Sequence, residues 1–172
     1  MSRTAASIFV FILTILFAIS PAFVQDFGGF DPNQFPVPQD NPPVQPAGYA
    51  FAIWGVIYLW LIGGMGYGLW KRREDAAWHP MRLALTPSLA VGAIWLALAV
   101  ASPVWASVLI WVMLITALMA LFRSPLHDKW AAALPLGLYA GWLSAASCVS
   151  LGLLLAGYGY VDSTTAAIAA IF

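Results

Sequence analysis

The sequence predicts an all-α membrane protein built as a bundle of five transmembrane helices. Hydrophobic residues make up 62% of the 172 residues and charged residues only 8%, whereas soluble domains carry about 25% charged residues. Five apolar runs, each close to the length that a helix needs to cross a bilayer, alternate with short polar links. We therefore expect one polytopic domain with spans at about 5–24, 48–70, 83–100, 105–122 and 130–158.

The first apolar run has two interpretations. Residues 4–24 are uncharged and long enough to form a transmembrane helix. A cleaved signal peptide is the alternative, because residues 8–19 form a short apolar core and residues 20–22 offer a poor cleavage site. We favour a retained first span.

The segment 25–47 is a proline-rich polar loop without lysine or arginine. It is either a stiff connector or a lid over a pocket, since long loops in compact domains often carry function. In the second interpretation, the rings of Phe27, Phe30 and Phe35 dip into a pocket or into the bilayer interface.

Glycines and prolines within the spans predict how the helices pack. Gly64-x-x-x-Gly68 in the second span allows a neighbouring helix to approach closely in lipid. Pro87 should kink the third span or mark its first turn, and Pro135 should lie in the first turns of the fifth.

The segment 161–172 is too short to cross a membrane. Ser163 is a candidate helix cap, so we expect either a small interfacial helix or the start of a further helix of a longer protein. We favour the second interpretation.

The charges predict the orientation of the chain. In the five-span arrangement every basic residue falls on one side of the membrane, which the positive-inside rule places in the cytoplasm with the N-terminus. These residues are Arg3, Lys71, Arg72, Arg73, Arg82, Arg123 and Lys129. The opposite side, with the loop 25–47 outside the cytoplasm, holds Asp26, Asp31, Asp40 and Asp162.

We expect no ionisable side chain within the spans, which argues against a proton- or ion-coupled transporter. The sequence also shows no nucleophile–base set, no carboxylate pair, no metal-ligand cluster and a single cysteine, Cys148. We therefore expect no enzymatic activity, no catalytic residue, no bound metal and no resident cofactor. Ser144, Ser147 and Ser150 should form hydrogen bonds between helices. An apolar pocket with stacking rings suits a flat hydrophobic ligand.

The tryptophans divide into two groups by their depth in the spans. Those at span ends are expected to anchor the protein at the membrane interfaces: Trp70, Trp78, Trp105 and Trp130. Those nearer the middle are expected to pack internally or to line a pocket: Trp54, Trp95, Trp111 and Trp142.

Three motifs, in order over about residues 40–157, resemble the translocator protein / tryptophan-rich sensory protein (TspO/MBR) family. The first is Pro46-x-x-x-x-Phe51-x-x-Trp54-x-x-x-Tyr58, which resembles the start of the second helix of the family. Trp95 is similar to its helix-three tryptophan. Ser124-Pro125-Leu126 followed by Pro135-x-x-x-Tyr139-x-x-Trp142-x-Ser144-x-Ala146 is similar to its fifth-helix pattern. Gly92 stands where the family has an asparagine, which suggests a divergent branch.

The resemblance implies a five-helix bundle of TspO type that binds porphyrins, sterols or synthetic aromatic ligands in a pocket under the first loop. It also implies the ligand-binding residues, which are Phe51, Trp54, Tyr58, Trp95, Tyr139, Trp142 and Ala146. The expected function is a sensory or regulatory receptor, or a carrier, for a tetrapyrrole-like aromatic ligand. A structural or regulatory membrane subunit, or a small permease component, is the alternative.

The expected partners are membrane lipid and a hydrophobic small molecule, with no nucleic acid. Gly64-x-x-x-Gly68 and Gly137-x-x-x-Gly141 also make a homodimer a candidate arrangement. We expect the protein in a bacterial inner membrane.

Overall fold

The computed structural model describes residues 1–24 and 28–171 and shows six α-helices over them. These are α1 (Arg3–Ile19), α2 (Ile53–Lys71), α3 (His79–Ala101), α4 (Pro103–Phe122), α5 (Ala133–Gly157) and α6 (Ser163–Ile171). Short 3₁₀ turns lie at Ser20–Phe23, Pro32–Gln34, Gly48–Ala52 and Leu126–Asp128. Five helices, α1 to α5, are long and apolar enough to cross a membrane. The predicted all-α class with five spans is confirmed.

The five long helices form a closed ring. Going round the bundle, α1 contacts α2, α2 contacts α5, α5 contacts α4, α4 contacts α3, and α3 returns to α1. The contact between α2 and α5 is the sparsest of these, and the contact between α3 and α4 is the most extensive. A short connection joins α3 to α4, which explains why these two helices pack side by side along their length.

The third helix begins earlier than predicted. Because α3 starts at His79, it contains Arg82, which is only 1% exposed. This corrects the expectation that no ionisable residue lies within a helical span. Arg82 donates hydrogen bonds to the carbonyl oxygens of Gly68 and Arg72, both at 2.9 Å. The Gly68 oxygen also accepts from the Arg72 amide, whereas the Arg72 oxygen lies at the helix end, where carbonyl groups lack helical partners. A count of apolar residues stops at the first charge, whereas the helix continues because the guanidinium finds these acceptors.

The polar links collect at the two ends of the bundle as predicted. At one end, Arg3 donates to the Glu74 carbonyl oxygen at 3.3 Å, and Arg72 pairs with Asp128 at 2.8 Å. At the other end, the Gln34 amide donates to the Val100 carbonyl oxygen at 2.6 Å. Of the four predicted aspartates at this second end, Asp26 lies outside the described residues.

The helix after the fifth span packs back onto α5. Asp162, not the predicted Ser163, caps α6, because its carboxylate accepts hydrogen bonds from the Thr164 and Thr165 amides, both at 3.0 Å. The Asp162 carboxylate extends further from the backbone than the Ser163 hydroxyl, so it reaches these amides from one position earlier in the chain. A Cβ at Gly152 would lie 3.2 Å from the Ala166 carbonyl oxygen, so α6 rests directly on α5.

The two prolines fall differently from each other. Pro135 lies in the first turn of α5 as predicted. Pro87 lies inside α3 and not in its first turn, because that helix begins eight residues earlier, at His79.

The Gly64-x-x-x-Gly68 motif makes its close contacts within one chain. A Cβ at Gly64 would collide with the carbonyl oxygen of Ala131, just before α5, and a Cβ at Gly68 would lie 2.5 Å from the Trp78 ring. The predicted close packing at this motif is confirmed. A homodimer stays a prediction, and the open surface beside Gly141 is the more suitable part of the two motifs for it.

We predict that Gly64→Ala destabilises the bundle while Gly63→Ala does not. The first substitution forces a methyl group into a backbone contact and should cost about 1–3 kcal/mol. The second adds the same group where nothing lies within 4 Å. Thermal unfolding of the detergent-solubilised variants measures both. Equal midpoints for the two variants would contradict the assigned contact.

Candidate functional site

A cavity of about 410 Å³ lies inside the bundle beneath the first loop. This volume is within the range of small-molecule pockets. Its walls come from all five long helices and from the loop, and most of them are aromatic or aliphatic. The aromatic lining residues are Phe17, Phe30, Phe51, Trp54, Tyr58, Trp95 and Trp142.

The start of α2 supplies one wall through the predicted aromatic stripe. Phe51 lies in the 3₁₀ turn before the helix, and Trp54 and Tyr58 follow one helical turn apart. The Trp54 and Tyr58 rings are stacked, with centroids 5.3 Å apart and planes inclined by 21°. Helical spacing therefore brings all three side chains to the cavity.

The fifth helix supplies the facing wall, but one predicted residue lies behind it. Trp142 and Ala146 line the cavity. Tyr139 does not line it; the side chain is fully buried, and its hydroxyl is 2.8 Å from the Ser88 hydroxyl. Because Ser88 donates its proton to the Met113 carbonyl oxygen at 2.9 Å, Tyr139 is the donor to Ser88. Tyr139 thus holds the floor of the cavity in place.

The third and first helices complete the lining. Trp95 lines the cavity and donates its indole N–H to the Ala106 carbonyl oxygen at 2.8 Å. Phe17, which the sequence analysis did not single out, makes edge contacts with Trp54 at 5.8 Å and Tyr58 at 5.0 Å between centroids. It is one apolar residue in an apolar helix, and only the spacing of the buried face Val10, Leu13 and Phe17 could have indicated it.

The first loop covers the cavity, which favours the lid interpretation over a simple connector. Phe30 lines the cavity beside Trp95, with centroids 6.5 Å apart. Phe35 packs on Phe30 at 6.1 Å and is buried against Gly157 of α5. The third predicted loop ring, Phe27, lies outside the described residues.

The described lining residues include no lysine, arginine, histidine or carboxylate. Polar groups come from Tyr58, Gln45, Ser150 and the indoles. Ser150 shares a hydrogen bond with Ser107 of α4, as predicted for a contact between helices. Ser144 instead donates to the Ala140 carbonyl oxygen of its own helix, because a serine hydroxyl reaches the preceding turn. The buried Ser147 hydroxyl has no hydrogen-bond partner among the described residues. The prediction of hydrogen bonds between helices is therefore wrong for Ser144 and Ser147.

Two tryptophans do not follow the predicted grouping. Trp78 is fully buried and donates its indole N–H to Asp128 at 2.9 Å, so it is not an interfacial anchor. Trp111 is exposed on α4 and lies outside the cavity lining, because its position on the helix faces away from the bundle axis. The remaining predicted anchors, Trp70, Trp105 and Trp130, are all exposed.

The family of the chain follows from a match along almost its whole length. Residues 3–172 match the family model described as TSPO-like protein. The chain belongs to the TSPO-like protein family. Neither the curated proteins nor the solved structures gave a match. The family and the five apolar helices together make this TSPO-like chain an integral membrane protein.

The resemblance drawn from the three sequence motifs is therefore confirmed at the level of the family. The structure brings six of the seven residues that the resemblance implied into one cavity lining. Tyr139 lies behind that lining. Their role in ligand binding stays a prediction.

The TSPO-like chain also has a polar cluster at the opposite end of the bundle, around Asp128. This carboxylate accepts hydrogen bonds from Arg72 at 2.8 Å, Trp78 at 2.9 Å and Tyr67 at 3.2 Å. It thereby ties the C-terminal end of α2 and the α2–α3 link to the α4–α5 link. Burial raises the pKa of Asp128, but these hydrogen bonds and the Arg72 charge outweigh burial and lower it below the ordinary value.

The same cluster has the composition of a metal site. His127 Nε2 lies 3.3 Å from Asp75 and 3.2 Å from Asp128, and the three side chains are close enough to share an ion. However, the Asp128 oxygen nearest His127 already accepts from Arg72 and Trp78. A positively charged guanidinium bound to this oxygen repels a metal ion, so the arrangement fits a structural hydrogen-bond cluster better than a metal centre.

We predict that this hydrogen-bond cluster stabilises the protein less in acid. Since the pKa of Asp128 is lowered in the folded state, its stabilising effect is complete above about pH 4 and is lost as the pH falls below that value. Asp128→Asn should cost about 1–3 kcal/mol at neutral pH and should flatten the acid limb of a plot of melting temperature against pH. Asp40→Asn, in the exposed loop, is the control. An acid limb of equal steepness in all three proteins would refute the role of Asp128.

Proposed function

We propose that this protein is a membrane receptor or carrier that binds a flat, hydrophobic, tetrapyrrole-like aromatic ligand in the cavity beneath the first loop. The observation that carries the proposal is the lining itself, an apolar space walled by aromatic rings from four helices and the loop. A sensory or regulatory role follows from reversible occupation of this space.

The geometry of the rings favours a planar ligand. Trp54 and Trp142 meet edge to face, with centroids 6.2 Å apart and planes inclined by 84°. Phe51 meets Trp142 in the same way at 6.3 Å. Aromatic contacts of this kind contribute about 0.5–1.5 kcal/mol each beyond the burial of surface, so a conjugated ring system gains from several walls at once.

The polarity of the lining indicates how such a ligand would lie. An ionised carboxylate is costly in an apolar site without a partner, and the described lining residues offer no cation. Acidic substituents should therefore face the loop, where Gln45 and the glycine backbone around Gly29 lie. The conjugated body should face Tyr58 and Phe17 at the inner end.

The same lining supports a binding role without catalysis. Among the described residues that form it there is no carboxylate or histidine to act as a general base for Ser150. We also propose that the charged end of the bundle faces the cytoplasm and the loop faces outward, from the clustering of basic residues at one end.

We predict saturable quenching of tryptophan fluorescence when protoporphyrin IX is titrated into the purified, detergent-solubilised protein. The double variant Trp54→Phe/Trp142→Phe should bind about fivefold to a hundredfold more weakly, because it loses two indole contacts of about 0.5–1.5 kcal/mol each. Trp95 remains in the cavity as a reporter in this variant.

The matched control is Trp70→Phe/Trp105→Phe, which removes two indoles that are 77% and 63% exposed. It should bind as tightly as the unmodified protein. Linear quenching of equal slope in all three proteins would mean that the porphyrin only partitions into detergent. That result would favour a structural or regulatory subunit instead.

A further inference from the structure

The contact between α2 and α5 differs at its two ends. Backbone atoms meet near the charged end, and aromatic rings meet near the loop. Near the charged end, Gly64 lies against the Ala131 carbonyl oxygen with no space for a Cβ, and Pro135 lies next to the same glycine. Backbone meets backbone there. This point therefore fixes α2 against the start of α5.

Towards the loop, the contact between the two helices is of a different kind. At this level the two helices meet through the rings of Phe51 and Trp54 on one side and Trp142 on the other. Rings can rotate about their side-chain bonds on timescales far shorter than those of helix movement.

We use the term seam for the place beside the cavity where the rings of Phe51 and Trp54 meet the ring of Trp142. Ala145 lies about one helical turn beyond Trp142. It lines the cavity and is an exposed residue. A larger side chain at this position would narrow the space beside Trp142.

The surface outside the seam is apolar. On α2, Val56 is 53% exposed and Leu59 is 74% exposed, and Ala52 and Gly55 are exposed beside them. Such a surface faces lipid in a membrane protein. An opening at the seam would connect the cavity with the bilayer.

The loop side is held more firmly. The Gln34 side chain donates to the Val100 carbonyl oxygen near the end of α3, and the Val37 amide donates to the Gly157 carbonyl oxygen at 2.9 Å. Phe35 fills the space above Gly157, where no side chain would fit. Opening this side breaks the backbone hydrogen bond between Val37 and Gly157 and exposes a buried ring, whereas the described contacts at the seam are contacts between aromatic rings.

We propose that the ligand reaches the cavity from the bilayer through the seam between α2 and α5, and that the Trp142 ring is its gate. The proposal rests on the proposed function and specifies the ligand class further, as an apolar compound dissolved in the membrane. Loading should therefore follow the amount of ligand in the bilayer and not its concentration in water.

In the test, the full chain is mixed with phosphatidylcholine vesicles that contain protoporphyrin IX. The time course of tryptophan quenching after mixing gives the loading rate. Ala145→Trp narrows the seam and should slow both loading and release by about tenfold, which corresponds to about 1.4 kcal/mol of added barrier. Ala97→Trp places the same ring on the exposed surface of α3, outside the cavity lining, and should leave both rates unchanged.

A second variant tests the loop route. The Phe35 Cβ lies 2.9 Å from the position of a Cβ at Gly157, and disulfides hold their Cβ atoms about 3.8 Å apart, so a small shift allows Phe35→Cys/Gly157→Cys to form a bond. In a Cys148→Ser background, oxidation of this pair ties the loop to α5. Loading should proceed at the same rate before and after oxidation.

The outcomes separate the two proposals. Saturable binding whose rate falls on oxidation of the loop pair, and not with Ala145→Trp, would overturn access through the seam while leaving the proposed function in place. Equal slowing by Ala145→Trp and Ala97→Trp would also overturn it. Absence of saturable binding in the unmodified protein would overturn the proposed function and the access route together.

Discussion

The packing of Phe17 against Gly92 is the contact on which the loop half of the bundle depends. A Cβ at position 92 would lie 2.7 Å from the Phe17 ring, so only glycine lets α1 and α3 approach this closely. The ring then meets Tyr58 of α2 and Tyr139 of α5 with centroids 5.0 and 5.7 Å away. One side chain thus sets the distances among four helices, and the cavity is the space that remains above it.

Different kinds of interaction hold the helices together at the two ends of the bundle. The charged end is held by directional hydrogen bonds, with Asp128 and Arg82 each satisfying several groups from other segments. At the loop end, hydrogen bonds hold the loop to α3 and α5, whereas α2 and α5 meet there through aromatic rings, whose contacts are weak individually. Directional hydrogen bonds at one end and ring contacts at the other suit the proposed admission of a bulky ligand without loss of the fold.

Much of this was accessible from the sequence, for identifiable reasons. Apolar length and charge placement predicted the five spans, and helical spacing predicted that Phe51, Trp54 and Tyr58 share a face. What failed depended on tertiary partners. Trp78 stands next to a polar link and resembles an anchor until Asp128 is brought to it. The sequence around Phe17 does not distinguish it from the other apolar residues of α1, because its importance comes from its contact with Gly92 on α3.

Arg82 has a consequence for how the chain settles in the membrane. A guanidinium at the centre of a bilayer costs about 2.5–3.5 kcal/mol or more, and this one is occupied by the last carbonyl oxygens of α2. Sliding of the third helix along α2 would break both of these hydrogen bonds. They therefore fix the vertical position of α3 relative to α2 and define the register of the hairpin that the two helices form.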